Sequence, residues 1–351
     1  MKKILVTGGC GYIGSHTIVD LIENGFDVIS IDDNSRSTTY LLDGIEKITG
    51  KKVKNYKVDL KNFDETLAVF QEHEEITGVI HFAAYKAVGE SVEKPLEYYE
   101  NNLFSLINIL KCIKEFKIKY FVFSSSCTVY GNPDKIPVTE KSPEKKAESP
   151  YGATKQMGEQ IVRDFSNQSD CNSILLRYFN PVGAHPSSLI GELPVGKPQN
   201  LVPAITQTAI GKISELIVYG DDYPTRDGSC IRDYIHVCDI ANAHTLALQY
   251  LINQKNVSAC DIFNLGSGNG VSVLEAIHAF EKISGKKLNY KIGERRPGDV
   301  VAIYANNDLA VNSLSWQIKY DLDEMMRTAW KWELTIDKDE KLMQQQNRVL
   351  N

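Results

Sequence analysis

Two hydrophobic rhythms alternate along the first half of the chain. Short, nearly continuous apolar runs rich in β-branched residues occupy 3–7, 28–31, 53–58, 78–82, 120–123 and 173–178. Such runs predict strands covered on both faces. Between them lie stretches with apolar residues three and four apart. In 14–24, Ile18, Leu21 and Ile22 recur at helical spacing and Gly25 fits a stop; in 63–70, Leu67 and Phe70 share a side; 95–116 and 151–165 follow the same rule. That spacing predicts helices. Strands alternating with helices imply right-handed crossovers and a parallel sheet. Six strands by Tyr178 make a complete doubly wound α/β unit.

The rhythm loosens after Tyr178. Pro and Gly crowd residues 181–198, which read as loops. Residues 201–210 and 239–251 predict helices, and 216–219 and 261–265 strands. Ser272-Val273-Leu274-Glu275 is a capping box that opens another helix. This half predicts a smaller α/β domain that exchanges strands with the first. The polar tail after Trp332 is expected to fray. No repeat or low-complexity segment interrupts the pattern.

Composition narrows the partners. A net charge of -6 over 351 residues argues against nucleic acid or an anionic membrane surface. The apolar run after Met1-Lys2-Lys3 stops at Val6, too short for a signal sequence, and no stretch is apolar for long enough to span a bilayer. The seven cysteines are scattered, with no C-x-x-C pair. They read as free thiols in a reducing compartment, and no metal site is expected. The cytoplasm is the expected location.

Gly8, Gly11 and Gly14 stand three apart between the first strand and the first helix. Glycine allows a tight turn and close approach to a pyrophosphate, which the helix N-terminus then binds. A Gly-rich turn with no ligand is the plain alternative. An acid at the end of the second strand decides against it: Asp32 follows Gly11 by 21 residues. A carboxylate there accepts from the ribose hydroxyls and repels a 2′-phosphate, which predicts NAD in preference to NADP. Arg36 is the counter-indication, read as a solvated loop charge beside Asp32 and Asp33.

Tyr151 and Lys155 share a helix face, just after Pro150 at a helix start. A free tyrosine has a pKa of about 10. To act as a base near neutrality it must fall by roughly 3 units, on the order of 4 kcal/mol. An ammonium and the positive nicotinamide together supply that. Y-x-x-x-K alone is a weak signal; after a dinucleotide fold and Ser124-Ser125-Ser126 it is strong. Ser126 is expected to hydrogen-bond the reacting oxygen, and Ser124 and Ser125 to be caps or loop serines.

Long strings then carry a resemblance. They include Gly11-Tyr12-Ile13-Gly14-Ser15-His16, Lys86-Ala87-Val88-Gly89-Glu90-Ser91, Pro95-Leu96-Glu97-Tyr98-Tyr99, Ser124 through Gly131, Leu176 through Pro186 and Arg232 through Val237. In these the chain resembles the extended short-chain dehydrogenases/reductases, and within them the UDP-galactose 4-epimerases, over nearly its whole length. The resemblance implies a Rossmann domain for NAD over residues 1–180. It implies a nucleotide-sugar domain over 181–351, with segments near 232–262 returning to the first.

It further implies NAD contacts at Gly8, Gly11, Tyr12, Ile13 and Gly14, at Asp32, Asp33, Asn34, Ser35, Arg36 and Ser37, and at Asp59 and Leu60. Phe82, Ala83, Ala84, Tyr85, Lys86, Asn101, Ser126, Tyr151, Lys155 and Phe179 complete that set. Substrate contacts are implied at Lys86, Ser126, Tyr151, Asn180, Asn200, Leu201, Tyr219, Arg232, Arg296, Asp299 and Ile303. The arginines suit a UDP diphosphate, because a guanidinium offers a planar fork of donors. The activity implied is reversible inversion of C4 of UDP-glucose and UDP-galactose through a 4-keto sugar. Tyr151 is then the base, Lys155 its tuning cation and Ser126 the proton relay. A homodimer built on 95–116 and 151–165 is also implied.

Two positions depart from the family pattern. Tyr85 stands where a smaller or aliphatic residue is usual, and its backbone rather than its ring is expected to serve NAD. Ile303 stands where residue size sets the sugar pocket. A branched side chain there is expected to crowd an N-acetyl group, favouring the plain hexoses. Three rival readings are a sugar-nucleotide dehydratase, a 4-epimerase of another UDP-sugar such as a UDP-N-acetylhexosamine or a UDP-uronate, and a non-catalytic NAD-binding regulator. A dehydratase needs an Asp-Glu pair where Cys127-Thr128 stands, and a regulator tends to lose the Tyr or Lys that are both present here.

Overall fold

A computed structural model describes residues 1–296 and 299–349. The first half runs β1 (Lys3–Thr7), α1 (Tyr12–Glu23), β2 (Asp27–Ile31), α2 (Tyr40–Thr49), β3 (Asn55–Tyr56), α3 (Phe63–Glu72), β4 (Ile76–His81), α4 (Val88–Glu93), α5 (Pro95–Glu115), β5 (Tyr120–Ser126), a 3₁₀ turn (Cys127–Tyr130), α6 (Pro150–Asn167) and β6 (Asn172–Tyr178). The second runs β7 (Asn180–Val182), α7 (Leu201–Ile210), β8 (Leu216–Tyr219), β9 (Ile231–His236), α8 (Val237–Ile252), β10 (Cys260–Leu265), β11 (Gly270–Ser272), α9 (Val273–Ser284), β12 (Tyr290–Gly293), β13 (Ala302–Ile303), α10 (Asp308–Leu314) and α11 (Leu322–Val349).

The main sheet is parallel, in the order β10-β6-β5-β4-β1-β2-β3. Its apolar runs are explained by alternate burial. Ile4 and Val6 of β1 face the core that α1 and α8 cover, while Leu5 faces the core beneath α3, α5 and α6. The six strands expected by Tyr178 are joined by a seventh from the second half, the strand predicted over 261–265. β10 pairs with β6 over its whole length and covers an edge that would otherwise be open.

Four other differences follow from packing and pairing. The expected strand over 53–58 shrinks to Asn55–Tyr56, because only those residues pair with β2 at the sheet rim. Helix α2, which the apolar pattern did not predict, contains Gly44. The glycine is there for space: a Cβ would stand 2.2 Å from the Leu189 carbonyl oxygen. Within the expected loop after Asn180, residues 180–182 form β7 and pair with β9. The tail expected to fray is helical to Val349; Trp332 and Ile336 are buried, and Gly191 packs on the Trp332 ring.

The smaller layer centres on β9, flanked by β11 on one side and by β7 and β13 on the other, with β8 and β12 paired apart. Its apolar core gathers Val202, Ile205, Val218, Ile277, Phe280 and Met326. Helix α9 begins with the capping box read from the sequence: Ser272 and Glu275 satisfy each other's backbone N–H.

Candidate active site

The chain turns sharply after β1. Gly8 takes φ +70°, which an L side chain adopts only at a cost. Gly14 lies so close to this turn that a Cβ would stand 2.2 Å from the Gly8 carbonyl oxygen. Gly11 caps α1 with no side chain, so nothing on the cap competes for the N–H groups of Tyr12, Ile13 and Gly14. The Tyr12 hydroxyl serves elsewhere, donating to the Gly183 carbonyl at 2.5 Å. Gly9, outside the triplet spacing, is just as constrained: a Cβ would meet Ser30 Oγ at 2.2 Å.

The loop after β2 folds back on this turn. Asp32 Oδ2 accepts from Cys10 N–H at 3.1 Å, and Oδ1 accepts from Asn34 N–H at 3.0 Å and the Ser37 hydroxyl at 2.7 Å. Burial raises the Asp32 pKa above the ordinary carboxylate value, and these donors oppose the rise. Asp33 Oδ1 accepts from the Ser35 N–H and hydroxyl. Arg36 is half-exposed in the loop, as expected, but is paired. It donates to both Glu90 oxygens at 2.8 Å and lies 4.5 Å from the Tyr85 ring centre. Beyond β3, Asp59 Oδ1 accepts from Lys61 N–H, and the carbonyl of buried Leu60 accepts from Asn108.

On the other side of β1, the loop after β4 passes against the same turn. A Cβ on Gly8 would meet Ala83 N at 2.9 Å, and Ala83 N–H donates to Thr7 Oγ1 at 3.2 Å. Phe82 packs on His244, and Ala84 follows half-buried. The backbone of Tyr85, expected to serve NAD, is taken by Asn102: its N–H donates to Oδ1 at 2.8 Å, and its carbonyl accepts from Nδ2 at 3.0 Å. Asn102 also donates to Thr154 on α6, and Asn101 donates to Asn102. Asn102 was missed from sequence; a buried Asn inside an apolar helix face was the available signal.

The catalytic candidates meet where β5 ends and α6 begins. Ser149 caps α6, accepting from Gly152 N–H at 3.2 Å, and Pro150 opens it. Lys155 Nζ donates to the Ser124 carbonyl at 2.7 Å and lies 5.9 Å from the Tyr151 ring centre. Burial lowers the Lys155 pKa to about 8, against the pull of Glu159, so it is an ammonium at neutral pH. Burial also pushes Tyr151 up to about 12, with the Ser126 hydroxyl opposing. The fall expected from Lys155 and the nicotinamide together therefore does not come from the chain's own groups, which leave Tyr151 protonated.

The serine roles change as well. Ser126 itself caps the 3₁₀ turn, accepting from Thr128 N–H at 3.3 Å. Ser124 and Ser125, expected as caps, are buried in the core and bond the Tyr178 hydroxyl and Glu159. Glu159 in turn holds buried Arg177.

The substrate candidates form two groups. Arg232 and Arg296 both donate to Asp299, and the Arg296 guanidinium lies 5.5 Å from the Tyr219 ring centre. Lys86 and Asn200 meet on one oxygen of Glu192, at 3.1 and 2.6 Å. Leu201 begins α7 just after Asn200. Ile303 joins the arginine group to the catalytic end. It pairs with Arg232 across β13 and β9, and it is buried with Val129, Tyr130 and Phe179. Phe179 N–H bonds the Leu265 carbonyl, and Asn180 begins β7 beside Tyr234. Glu192 was missed from sequence, since a single loop carboxylate carries no spacing signal.

The residues present fit a dinucleotide: a turn with no room for a Cβ, a helix start capped by glycine, and a carboxylate returning to that turn. Such a turn at the end of a parallel strand, with a tyrosine one helical turn before a buried lysine, marks the short-chain dehydrogenase/reductase class. Comparison with known proteins narrows it. The family model described as GDP-mannose 4,6 dehydratase matches residues 5–329. The UDP-glucose 4-epimerase of Bacillus subtilis is 48% identical over 331 residues, 94% of this chain and 96% of that one.

The crystal structure of UDP-glucose 4-epimerase from Stenotrophomonas maltophila, with bound NAD and formylated UDP-arabinopyranose, superposes with a TM-score of 0.92 at 44% identity. It covers 97% of this chain and 100% of its own. The enzyme from Bifidobacterium longum, in complex with NAD+ and UDP, superposes with a TM-score of 0.91 at 45% identity, covering 95% and 98%. The chain belongs to the UDP-glucose 4-epimerase family.

Proposed function

We propose that the chain interconverts UDP-glucose and UDP-galactose, inverting C4 through a 4-keto sugar with NAD held throughout. The observation that carries this is Tyr151 one helical turn before buried Lys155, beside Ser126, in a chain that matches UDP-glucose 4-epimerases over 94% of its length. Tyr151 takes the proton from the C4 hydroxyl and returns it on the other face. Lys155 keeps a positive charge beside the phenol, and Ser126 orients O4. When bound, NAD supplies a reversible hydride acceptor for C4 and a positive charge near Tyr151. Arg232 and Arg296 hold the diphosphate, leaving the sugar free to turn, and Ile303 bounds the sugar pocket.

Residues 1–180, with α8 and β10 packed on them, carry NAD; the layer around β9 carries the UDP-sugar. The exposed Leu96, Phe104 and Met157 on α5 and α6 suit a homodimer face. Among the described residues no helix is long and apolar enough to cross a membrane, and the cysteines are free, in keeping with a cytoplasmic enzyme.

The test is proton NMR of the purified protein with UDP-galactose and no added cofactor, following the anomeric signals. UDP-glucose should appear. No conversion, with or without added NAD, would refute the proposal.

A further inference from the structure

The two residues that sat oddly in the sequence, Arg36 and Tyr85, meet in the fold. Arg36 lies in the loop after β2 and Tyr85 in the loop after β4. These strands flank β1, so the two loops stand on either side of the Gly-rich turn. Arg36 spans from one to the other. Its guanidinium takes both Glu90 oxygens at 2.8 Å and stacks 4.5 Å from the Tyr85 ring centre. Glu90, on α4, is held in turn by the Tyr98 hydroxyl, which donates to Oε2 at 2.9 Å, with Lys94 3.7 Å from Oε1. The Tyr98 hydroxyl also accepts from Ala87 N–H at 3.1 Å, and its ring meets Tyr85 edge-on at 5.5 Å.

We propose that Arg36, Tyr85 and Glu90 form a clasp that joins the two cofactor loops across the Gly-rich turn at the end of β1 and retains bound NAD. This rests on the cofactor site proposed above. A ligand lying across the end of β1 between those loops leaves only when they part. Parting them breaks a bidentate ion pair and a stacked cation at once. The Arg36 side chain is 51% exposed, so the clasp is weak enough to open and is screened by salt. The same pairing spends the one arginine of this loop on Glu90, which removes it as a partner for a 2′-phosphate. Glu90 is thereby a positioning residue for the cofactor, with no contact to the reacting atoms.

The experiment loads the intact protein with isotopically labelled NAD and chases it with excess unlabelled NAD, following the label left on the protein. Arg36→Ala and Glu90→Ala should each speed release about two- to fivefold, and Tyr85→Leu by a smaller factor. Because the pair acts as a unit, the Arg36→Ala/Glu90→Ala double variant should release no faster than either single. Raising salt should speed release from the unsubstituted protein and from Tyr85→Leu, and leave Arg36→Ala and Glu90→Ala unmoved.

Unchanged release in both single variants overturns the clasp. So does an additive double variant, or a melting temperature of the NAD-free variants that falls enough to account for the loss. Failure of the unsubstituted protein to retain any label, even with NAD in excess, overturns the cofactor site and the clasp with it.

Discussion

Replacing Ile303 by glycine tests the sugar pocket most directly. Ile303 is 4% exposed and packs with Val129, Tyr130, Val138 and Phe179 between the end of β5 and the arginine group on β9. Removing a buried isoleucine side chain costs about 2–5 kcal/mol, and glycine in a strand adds about 0.5–1 kcal/mol. A total of about 4 kcal/mol sets the expected loss. With an unfolding entropy of about 2.1 cal/mol/K per residue, a chain of 351 residues loses about 5 °C in Tm. The space freed is about that of an N-acetyl substituent, so the variant should turn over UDP-N-acetylglucosamine. Its preference for the plain hexose, as a ratio of kcat/KM, should fall by about 10–100-fold. The assay is NMR of the anomeric signals with both sugars, beside a thermal melt. Equal use of both sugars by the unsubstituted protein, or a variant that loses the expected stability yet still rejects the N-acetylated sugar, would refute the reasoning.

Three further outcomes are expected. Tyr151→Phe should lower turnover by at least about 100-fold while the protein keeps its NAD, measured as adenine absorbance after gel filtration; full activity would remove Tyr151 as the base. Asp32→Ala should weaken NAD binding about 10–100-fold by calorimetry, and unchanged affinity would take Asp32 out of the cofactor site. Lys155 has a folded pKa lowered to about 8 from 10.5, so the folded state binds fewer protons between those values. Its burial penalty, about 3 kcal/mol, is therefore in full force below pH 8 and gone above about pH 10.5. NAD-free Lys155→Met should show a flatter rise in stability over that window in urea titrations. A rise as steep as that of the unsubstituted protein would place the titration elsewhere.

Much was legible without the fold because the signals are local. The strand runs, the Gly8-Gly11-Gly14 turn, Asp32 at a strand end and the Tyr151–Lys155 pair each depend on residues near one another, or on the spacing of one crossover. Helix α2, which the apolar pattern did not predict, carries Gly44 against helix propensity, and the reason for that glycine lies about 145 residues away at Leu189. Asn102 and Glu192 were missed for the same cause: each acts on partners that only the packed chain brings near.

By itself the sequence determined the layered α/β class, the Gly-rich turn after β1 and the helix that carries Tyr151 and Lys155, since periodicity and turn chemistry are properties of short segments. The tertiary structure alone decided the place of the seventh strand beside β6, the convergence of Arg232 and Arg296 on Asp299, and the joining of Arg36 to Glu90 and Tyr85. It also decided the ionisation of the site. Tyr151 is raised and Lys155 lowered because both are buried, and burial is a sum over every element packed around them.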